Sequence, residues 1–121
     1  MRKFLVYYAH PMYLYGKAQE DRDIEMLEQM GFIVMNPADP DYATEAELRG
    51  NRMQYFLTLV ERCDGLAFRG TPEGLITCGV AEEIKTAQNL GRPVIELPSM
   101  VKRRTLNIPD TLEYLHQVGE R

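Results

Sequence analysis

Two adjacent acids, Glu82 and Glu83, lie in the first half of a helix that the sequence predicts over residues 80–90. Because an α-helix turns by about 100° per residue, the two carboxylates point to different sides of it. The apolar stripe of this helix consists of Val80, Ile84, Ala87 and Leu90. Glu83 follows Val80 by three residues and precedes Ala87 by four, so it belongs to the buried side. Glu83 is therefore the carboxylate that we single out for chemistry.

A carboxylate near the start of a helix is stabilised by about 0.3–1 kcal/mol when exposed and by up to about 2 kcal/mol when partly buried. We therefore expect Glu83 to be ionised at neutral pH. Such a carboxylate can act as a base or a nucleophile, and glycosyl chemistry uses one to stabilise or trap an oxocarbenium-like carbon. The structural alternative is that Glu83 caps free backbone amides or pairs with Lys85 or Lys102, and the residues leave both readings open.

The segment YYAHPMYLYG places four tyrosines and one methionine within ten residues. Tyrosine rings can stack on a nucleobase while their hydroxyls orient a sugar, and methionine adapts to flat rings. We interpret the segment as a base-binding wall made by Tyr7, Tyr8, Met12, Tyr13 and Tyr15. The alternative applies to Tyr7 and Tyr8, which alternate along a strand, so that one of the two packs in the core.

The remaining titratable residues offer fewer roles. His10 is a candidate to protonate a departing base or to bind phosphate, and the alternative is a structural hydrogen bond. With only His10 and His116 in the chain, we expect no histidine-based metal site. Cys63 and Cys78 lack the spacing of a zinc or redox motif, so we expect them to be packing thiols.

The composition is that of a soluble globular protein. The chain has 121 residues, of which 45% are hydrophobic and 26% charged, so we expect a single domain over 1–121. A net charge of −4 argues against polymeric nucleic acid as a partner, whereas a small anionic ligand remains compatible with it. No leader pattern and no long apolar run is evident, which predicts a cytoplasmic protein without membrane association.

Short apolar runs alternate with helical patterns along the chain. The predicted strands cover residues 3–8, 32–35, 64–68 and 92–97, and the predicted helices cover 17–30, 44–62 and 80–90. An interruption of the second helix at Gly50 is left open. A further helix begins near Pro109, and a short fifth strand before it is also left open.

Alternating strands and helices predict an α/β fold with a doubly wound parallel sheet of four to five strands, flavodoxin-like or Rossmann-like, in the order 2-1-3-4-5. Ligands of such sheets bind beyond the carboxyl ends of the strands, where strands one and three diverge. That rule places the site between loops 9–16 and 69–78. Arg69 and Gly70, which open the second loop, are therefore candidate substrate contacts.

Four motifs occur in a fixed order: VYYAHPM at the end of strand one, NPADP after strand two, CDGLAF at strand three, and Thr77-x-Gly79-x-x-x-Glu83 at the third helix. Together, over residues 3–97, they resemble the nucleoside 2-deoxyribosyltransferase-like superfamily, which includes nucleotide N-glycosidases. The resemblance implies cleavage or exchange of the N-glycosidic bond of a nucleoside or nucleoside 5′-monophosphate, without a cofactor or metal. The matching glutamate, Glu83, is then the nucleophile.

The resemblance also implies the other contacts. Thr77 holds the sugar or the 5′-phosphate, and Gly79 allows close approach at the helix start. Further substrate contacts fall on His10, Met12 and Tyr13, and Tyr8 is an additional candidate contact because it belongs to the tyrosine-rich segment. Members of this superfamily form homodimers that complete each other's sites, here with residues 99–104. His10 stands where members carry glycine and Phe56 where transferases carry aspartate, which keeps two alternatives open: a non-catalytic nucleotide-binding module and a dimerising scaffold.

Overall fold

A computed structural model describes residues 3–98, 108–117 and 119. Its first strand, β1 (Leu5–Ala9), is buried over most of its length. The other strands are β2 (Ile33–Met35), β3 (Gly65–Phe68) and β4 (Val94–Glu96). The helices are α1 (Ala18–Gln29), α2 (Pro40–Arg49), α3 (Arg52–Glu61), α4 (Cys78–Asn89) and α5 (Ile108–Gln117), with a 3-10 turn at Met12–Leu14.

The four described strands form one parallel sheet in the order β2-β1-β3-β4. Tyr7 is paired with Met35 on one side and with Leu66 on the other, and Ala67 pairs with Ile95. This arrangement confirms the predicted doubly wound, flavodoxin-like α/β fold. The fifth strand that the sequence left open falls within residues 99–107, outside the described residues.

In the region between β2 and β3, the interruption at Gly50 that the sequence left open within the predicted helix over 44–62 is present. Two helices are present, because Gly50 adopts a left-handed conformation with φ of 76° that ends α2. The Asn51 side chain then caps α3. The predicted start at Thr44 was wrong: the Asp39 side chain caps α2, and Pro40 suits the first helical position.

Successive residues of β1 point to opposite faces of the sheet, and each face has its own core. Tyr7 and Ala9 pack in a cluster with residues of α2, α3 and α4. Val6 and Tyr8 pack in a second cluster with Leu27 of α1. This alternation decides which side chains can meet Glu83 of α4. Among the described helices, none is long and apolar enough to cross a bilayer.

Candidate functional site

A cavity of about 470 Å³ opens between the loop after β1, the first turns of α3 and the beginning of α4. Its volume lies in the range of small-molecule sites. The loop contributes His10, Pro11, Met12, Tyr13 and Tyr15; α3 contributes Arg52, Met53 and Phe56; α4 and its cap contribute Thr77, Cys78, Gly79, Val80 and Glu83. Five of the predicted contacts therefore line one cavity together with the predicted nucleophile: His10, Met12, Tyr13, Thr77 and Gly79.

Glu83 is the acid of this cavity, and its side chain is buried. The hydroxyl of Tyr7 donates a hydrogen bond to its Oε2. Its Oε1 has no hydrogen-bond partner among the described residues. Every fully buried side-chain oxygen of the described residues has a hydrogen-bond partner. Because Oε1 has none, it is not fully buried, and it therefore faces the open space of the cavity. One oxygen is thus held in place while the other is available to a ligand.

Burial raises the pKa of Glu83 to about 7, against the opposing effect of the hydrogen bond from Tyr7. This corrects the expectation of a fully ionised carboxylate at neutral pH. The physical reason is position: Glu83 lies in the second turn of α4, where the helix dipole has weakened, and loss of solvent has the larger effect. Burial and the nearby Glu83 raise the pKa of Tyr7, so Tyr7 keeps its proton and donates it.

The structural alternatives for Glu83 are not observed in the described part of the chain. Lys85 is exposed and forms no ion pair with Glu83 there, and Lys102 lies outside the described residues. The Glu83 carboxylate accepts no backbone amide bond among the described residues either. Its one described hydrogen-bond partner is Tyr7.

The cavity walls combine apolar side chains with polar groups that have no hydrogen-bond partner in the described chain. Met12 and Tyr13 are 58% and 52% exposed at its mouth. Tyr15 is half-buried, and burial followed by the charge of Glu83 raises its pKa to about 12, so it is a hydrogen-bond donor at neutral pH. The guanidinium of Arg52 lies 6.0 Å from the centre of the Phe56 ring and forms no ion pair with a described residue.

The N-terminus of α4 differs from those of α2 and α3, because its cap residue Thr77 makes no side-chain hydrogen bond. The first three residues of the helix, Cys78, Gly79 and Val80, line the cavity, and their amides precede the first intrahelical bond, from Ala81 N to Thr77 O. A Cβ atom at Gly79 would have no neighbour within 4 Å, so this position leaves space for a ligand.

His10 lies at the edge of the cavity with both ring nitrogens engaged. Nδ1 is 3.0 Å from the carbonyl oxygen of Tyr8, and since a carbonyl only accepts, Nδ1 donates. Nε2 is 2.7 Å from Oε2 of Glu20. The ring stacks on that of Tyr8 with centroids 3.9 Å apart. His10 could therefore protonate a leaving base or bind phosphate only by breaking one of these bonds.

Tyr8, Arg69 and Gly70 do not line the cavity. Tyr8 points to the other face of the sheet and donates to Oδ2 of Asp23 at 2.5 Å. Arg69 binds both oxygens of Asp23, from Nε at 2.5 Å and from Nη2 at 2.7 Å, and these bonds raise the pKa of the guanidinium. A Cβ at Gly70 would lie 2.9 Å from the carbonyl oxygen of Leu75, so Gly70 is needed for packing of its own loop.

Sequence reasoning missed Arg52 and Met53 as lining residues of the cavity, and it missed the hydrogen bond that Tyr7 donates to Glu83. Cys78, expected to be a packing thiol, is exposed and lines the cavity. Arg52 and Met53 reach it because the chain breaks at Gly50 and begins a new helix there, and that break was the available signal. Tyr7 was considered for stacking on a base or for core packing, but not as a partner of Glu83. It is fully buried and does not line the cavity, and its position in β1 puts it on the same face of the sheet as α4.

Among the described residues, no three side chains are grouped as metal ligands. No model of a known protein family matches this chain, and no curated protein matches it either.

Proposed function

We propose that the chain cleaves or exchanges the N-glycosidic bond of a nucleoside or nucleoside 5′-monophosphate, with Glu83 as the nucleophile. The observation that carries the proposal is the environment of Glu83. Its carboxylate is buried at a ligand-sized cavity, held by Tyr7 through Oε2 and open to the cavity through Oε1. The motif resemblance, in which Glu83 matches the family nucleophile, supports the same role.

In the proposed reaction, Oε1 of Glu83 attacks the anomeric carbon of the bound sugar. The bond from that carbon to the base nitrogen breaks, its electron pair leaves with the base, and a glycosyl ester forms on Glu83. Solvent supplies the proton that the departing base takes up. Water or a second base then attacks the same carbon and loses a proton to solvent, and the bond to Glu83 breaks so that the carboxylate is restored. The hydrogen bond from Tyr7 keeps Oε2 fixed throughout and favours the ionised form that the first step requires.

The lining of the cavity contains groups that suit both the base and the phosphate of such a substrate. Met12, Tyr13 and Met53 offer flat or adaptable apolar surface for a base. The open amides at the start of α4 and the guanidinium of Arg52 on α3 also line the cavity, and both kinds of group suit a 5′-phosphate. Thr77 supplies a hydroxyl at the same place. These features support a nucleoside or its monophosphate as substrate.

The test is release of free base, measured by chromatography, from a panel of deoxyribo- and ribonucleosides and their 5′-monophosphates. Wild-type protein is compared with Glu83→Gln and with Glu82→Gln, the same change on the exposed neighbouring acid. We expect Glu82→Gln to match wild type and Glu83→Gln to be slower by about a thousandfold or more. Equal rates for wild type and Glu83→Gln would refute the proposal.

A second candidate function is nucleotide binding without turnover. It is favoured by the engagement of both His10 ring nitrogens, which leaves no free histidine acid in the described cavity. It predicts a saturable rise in melting temperature with a nucleotide that is recovered intact after incubation. Release of base at a rate that depends on Glu83 would exclude it.

The resemblance also supports a homodimer in the cytoplasm whose subunits complete each other's cavities. The segment expected to do so, residues 99–104, lies outside the described residues. Light scattering coupled to gel filtration measures the oligomeric state directly, and a monomer that releases base at full rate would contradict the dimer.

A further inference from the structure

One carboxylate, that of Glu20, contacts both ends of the loop formed by residues 10–16. Glu20 lies in the first turn of α1 and is buried. Its Oε2 is 2.7 Å from Nε2 of His10, the first residue of the loop. Its Oε1 accepts a longer bond, 3.3 Å, from the backbone N–H of Gly16, the last residue. A single side chain therefore joins the two ends of this loop.

The residues between these ends form one wall of the cavity. Pro11, Met12, Tyr13 and Tyr15 all line it. The turn that carries them is closed by short-range backbone bonds, such as that from Tyr15 N to Met12 O. In the described chain, the side-chain hydrogen bonds that anchor the loop are those made with Glu20 and the bond from His10 to the Tyr8 carbonyl. The position of the wall relative to α1 and β1 thus depends on these contacts.

Glu20 does not itself line the cavity, so it acts on a ligand only through the loop. Its polar neighbours are the His10 imidazole and the Gly16 amide, whereas the neighbouring buried acid Asp23 is bound to Arg69 and Tyr8. The two buried acids of α1 therefore have separate hydrogen-bond partners. Glu20 holds the cavity loop, and Asp23 holds the opposite face of the sheet.

We propose that Glu20 is a positioning residue that fixes loop 10–16 so that Met12, Tyr13 and Tyr15 can hold the substrate base. This role rests on the proposed function, because the wall has a substrate to hold only if the cavity binds one. Loss of the carboxylate releases Nε2 of His10 and the Gly16 amide together, which leaves the loop held by the contacts of His10 with Tyr8 and lets the wall move. Substrate binding is then weakened, whereas the chemical step at Glu83 is retained.

The test uses Glu20→Met, which fills the space without accepting a hydrogen bond. Glu20→Gln is the conservative variant, since its amide can accept from Gly16 and bond to His10. Asp21→Met is the matched control, because it removes an exposed acid from the same turn of α1. Melting temperatures establish that each variant is folded.

We expect Glu20→Met to raise KM for base release by about tenfold, the effect of losing one hydrogen bond to a charged group, with kcat little changed. For Glu20→Gln we expect KM to stay within about threefold of the wild-type value, and for Asp21→Met we expect the wild-type KM. A general loss of stability would not give this separation of KM from kcat or the rescue by glutamine. Equal KM values for Glu20→Met and Asp21→Met would overturn the proposal.

Nuclear magnetic resonance supplies a readout that is independent of activity. The chain has two histidines, and the exposed His116 serves as an internal reference for His10. We expect Glu20→Met to shift the Nε2 resonance of His10 and to speed exchange of the Gly16 amide by about tenfold or more, with His116 unchanged. Unchanged signals at both ends of the loop would show that Glu20 does not join them.

The two readouts separate failure of this inference from failure of the proposed function. If wild-type protein releases no base, the substrate role falls with the proposed function, and the resonances of His10 and Gly16 still decide whether Glu20 holds the loop. If Glu20→Met does not fold, the same two signals are measured in wild-type protein. Rapid exchange of the Gly16 amide, together with a His10 Nε2 resonance at the same position as that of the exposed His116, would overturn the inference.

Discussion

Tyr7 and Tyr8 are neighbours in β1, and each donates its hydroxyl to a buried carboxylate, but on opposite faces of the sheet. Below Tyr8, Asp23 is fully buried and both of its oxygens are bound by Arg69. Above Tyr7, Glu83 has no cation in contact within the described chain. One acid is neutralised by a fixed partner, and the other is held by a neutral donor beside a cavity.

This difference in charge compensation distinguishes a structural carboxylate from a candidate catalytic one. A buried carboxylate with a bidentate arginine has its charge compensated and its oxygens occupied, so it holds elements together. A buried carboxylate with one neutral donor carries an uncompensated desolvation cost, which appears as a pKa of about 7 for Glu83. Perturbed acids in cavities are candidates for catalysis, and Glu83 fits that description whereas Asp23 does not.

The largest effect on stability is expected on the face of Tyr8. Asp23→Ala leaves the guanidinium of Arg69 buried without its partner, which costs about 3–5 kcal/mol of unfolding free energy. Chemical denaturation measures this loss. Glu28→Ala, an exposed acid on the same helix, is the control and changes stability by less than about 0.5 kcal/mol. A loss below about 1 kcal/mol for Asp23→Ala would show that the ion pair does not anchor this face.

Glu83→Gln is expected to raise the unfolding free energy rather than to lower it, by an amount that depends on pH. Folding raises the pKa of Glu83 from 4.5 to about 7, so the stability of wild-type protein falls, relative to the glutamine variant, as pH rises through this window. Unfolding free energies are therefore similar near pH 4.5, and Glu83→Gln is more stable at pH 8 by up to about 3 kcal/mol.

Glu82→Gln, at the exposed neighbouring position, is the control for this pH series and gives a constant difference from wild type. A difference between Glu83→Gln and wild type that does not grow with pH would mean that Glu83 is not desolvated in the folded protein.

A smaller effect on the reaction is expected from Tyr7→Phe. The hydroxyl of Tyr7 lowers the pKa of Glu83, so its removal moves the rising limb of the kcat/KM profile to higher pH by about one unit. The ionised fraction of Glu83 at pH 7 drops from about one half to about one tenth, so base release at that pH falls about fivefold. Tyr8→Phe is the matched change on the other face, and we expect it to lower stability without moving the profile. Identical shifts in both variants would remove the distinction between the faces.

The sequence predicted the order of elements and the position of Glu83 because both depend on local periodicity. Alternating runs define a parallel sheet, and the stripe of α4 places Glu83 inward whatever it contacts. The break at Gly50 was visible as an open alternative, but its consequence, the delivery of Arg52 to the cavity, depends on tertiary packing. That consequence could not be read from spacing.

Roles that depend on a distant partner were not predictable. Tyr8 was expected in the site as part of the tyrosine-rich segment, and Arg69 because it follows the third predicted strand. Nothing in their spacing identifies Asp23, 46 residues before Arg69, as their common acceptor. The ionisation of Glu83 was misjudged for a related reason. The helix position of Glu83 is local, whereas its desolvation depends on the whole cavity.

The most direct test of the central claim is to identify the residue that carries the glycosyl group during turnover. Wild-type protein is quenched with acid while saturated with a substrate that it cleaves, then digested and mapped by mass spectrometry. We predict an added mass of one glycosyl group on the peptide that contains Glu83, and its absence in Glu83→Gln. An adduct on another residue, or an undiminished adduct in Glu83→Gln, would contradict the account.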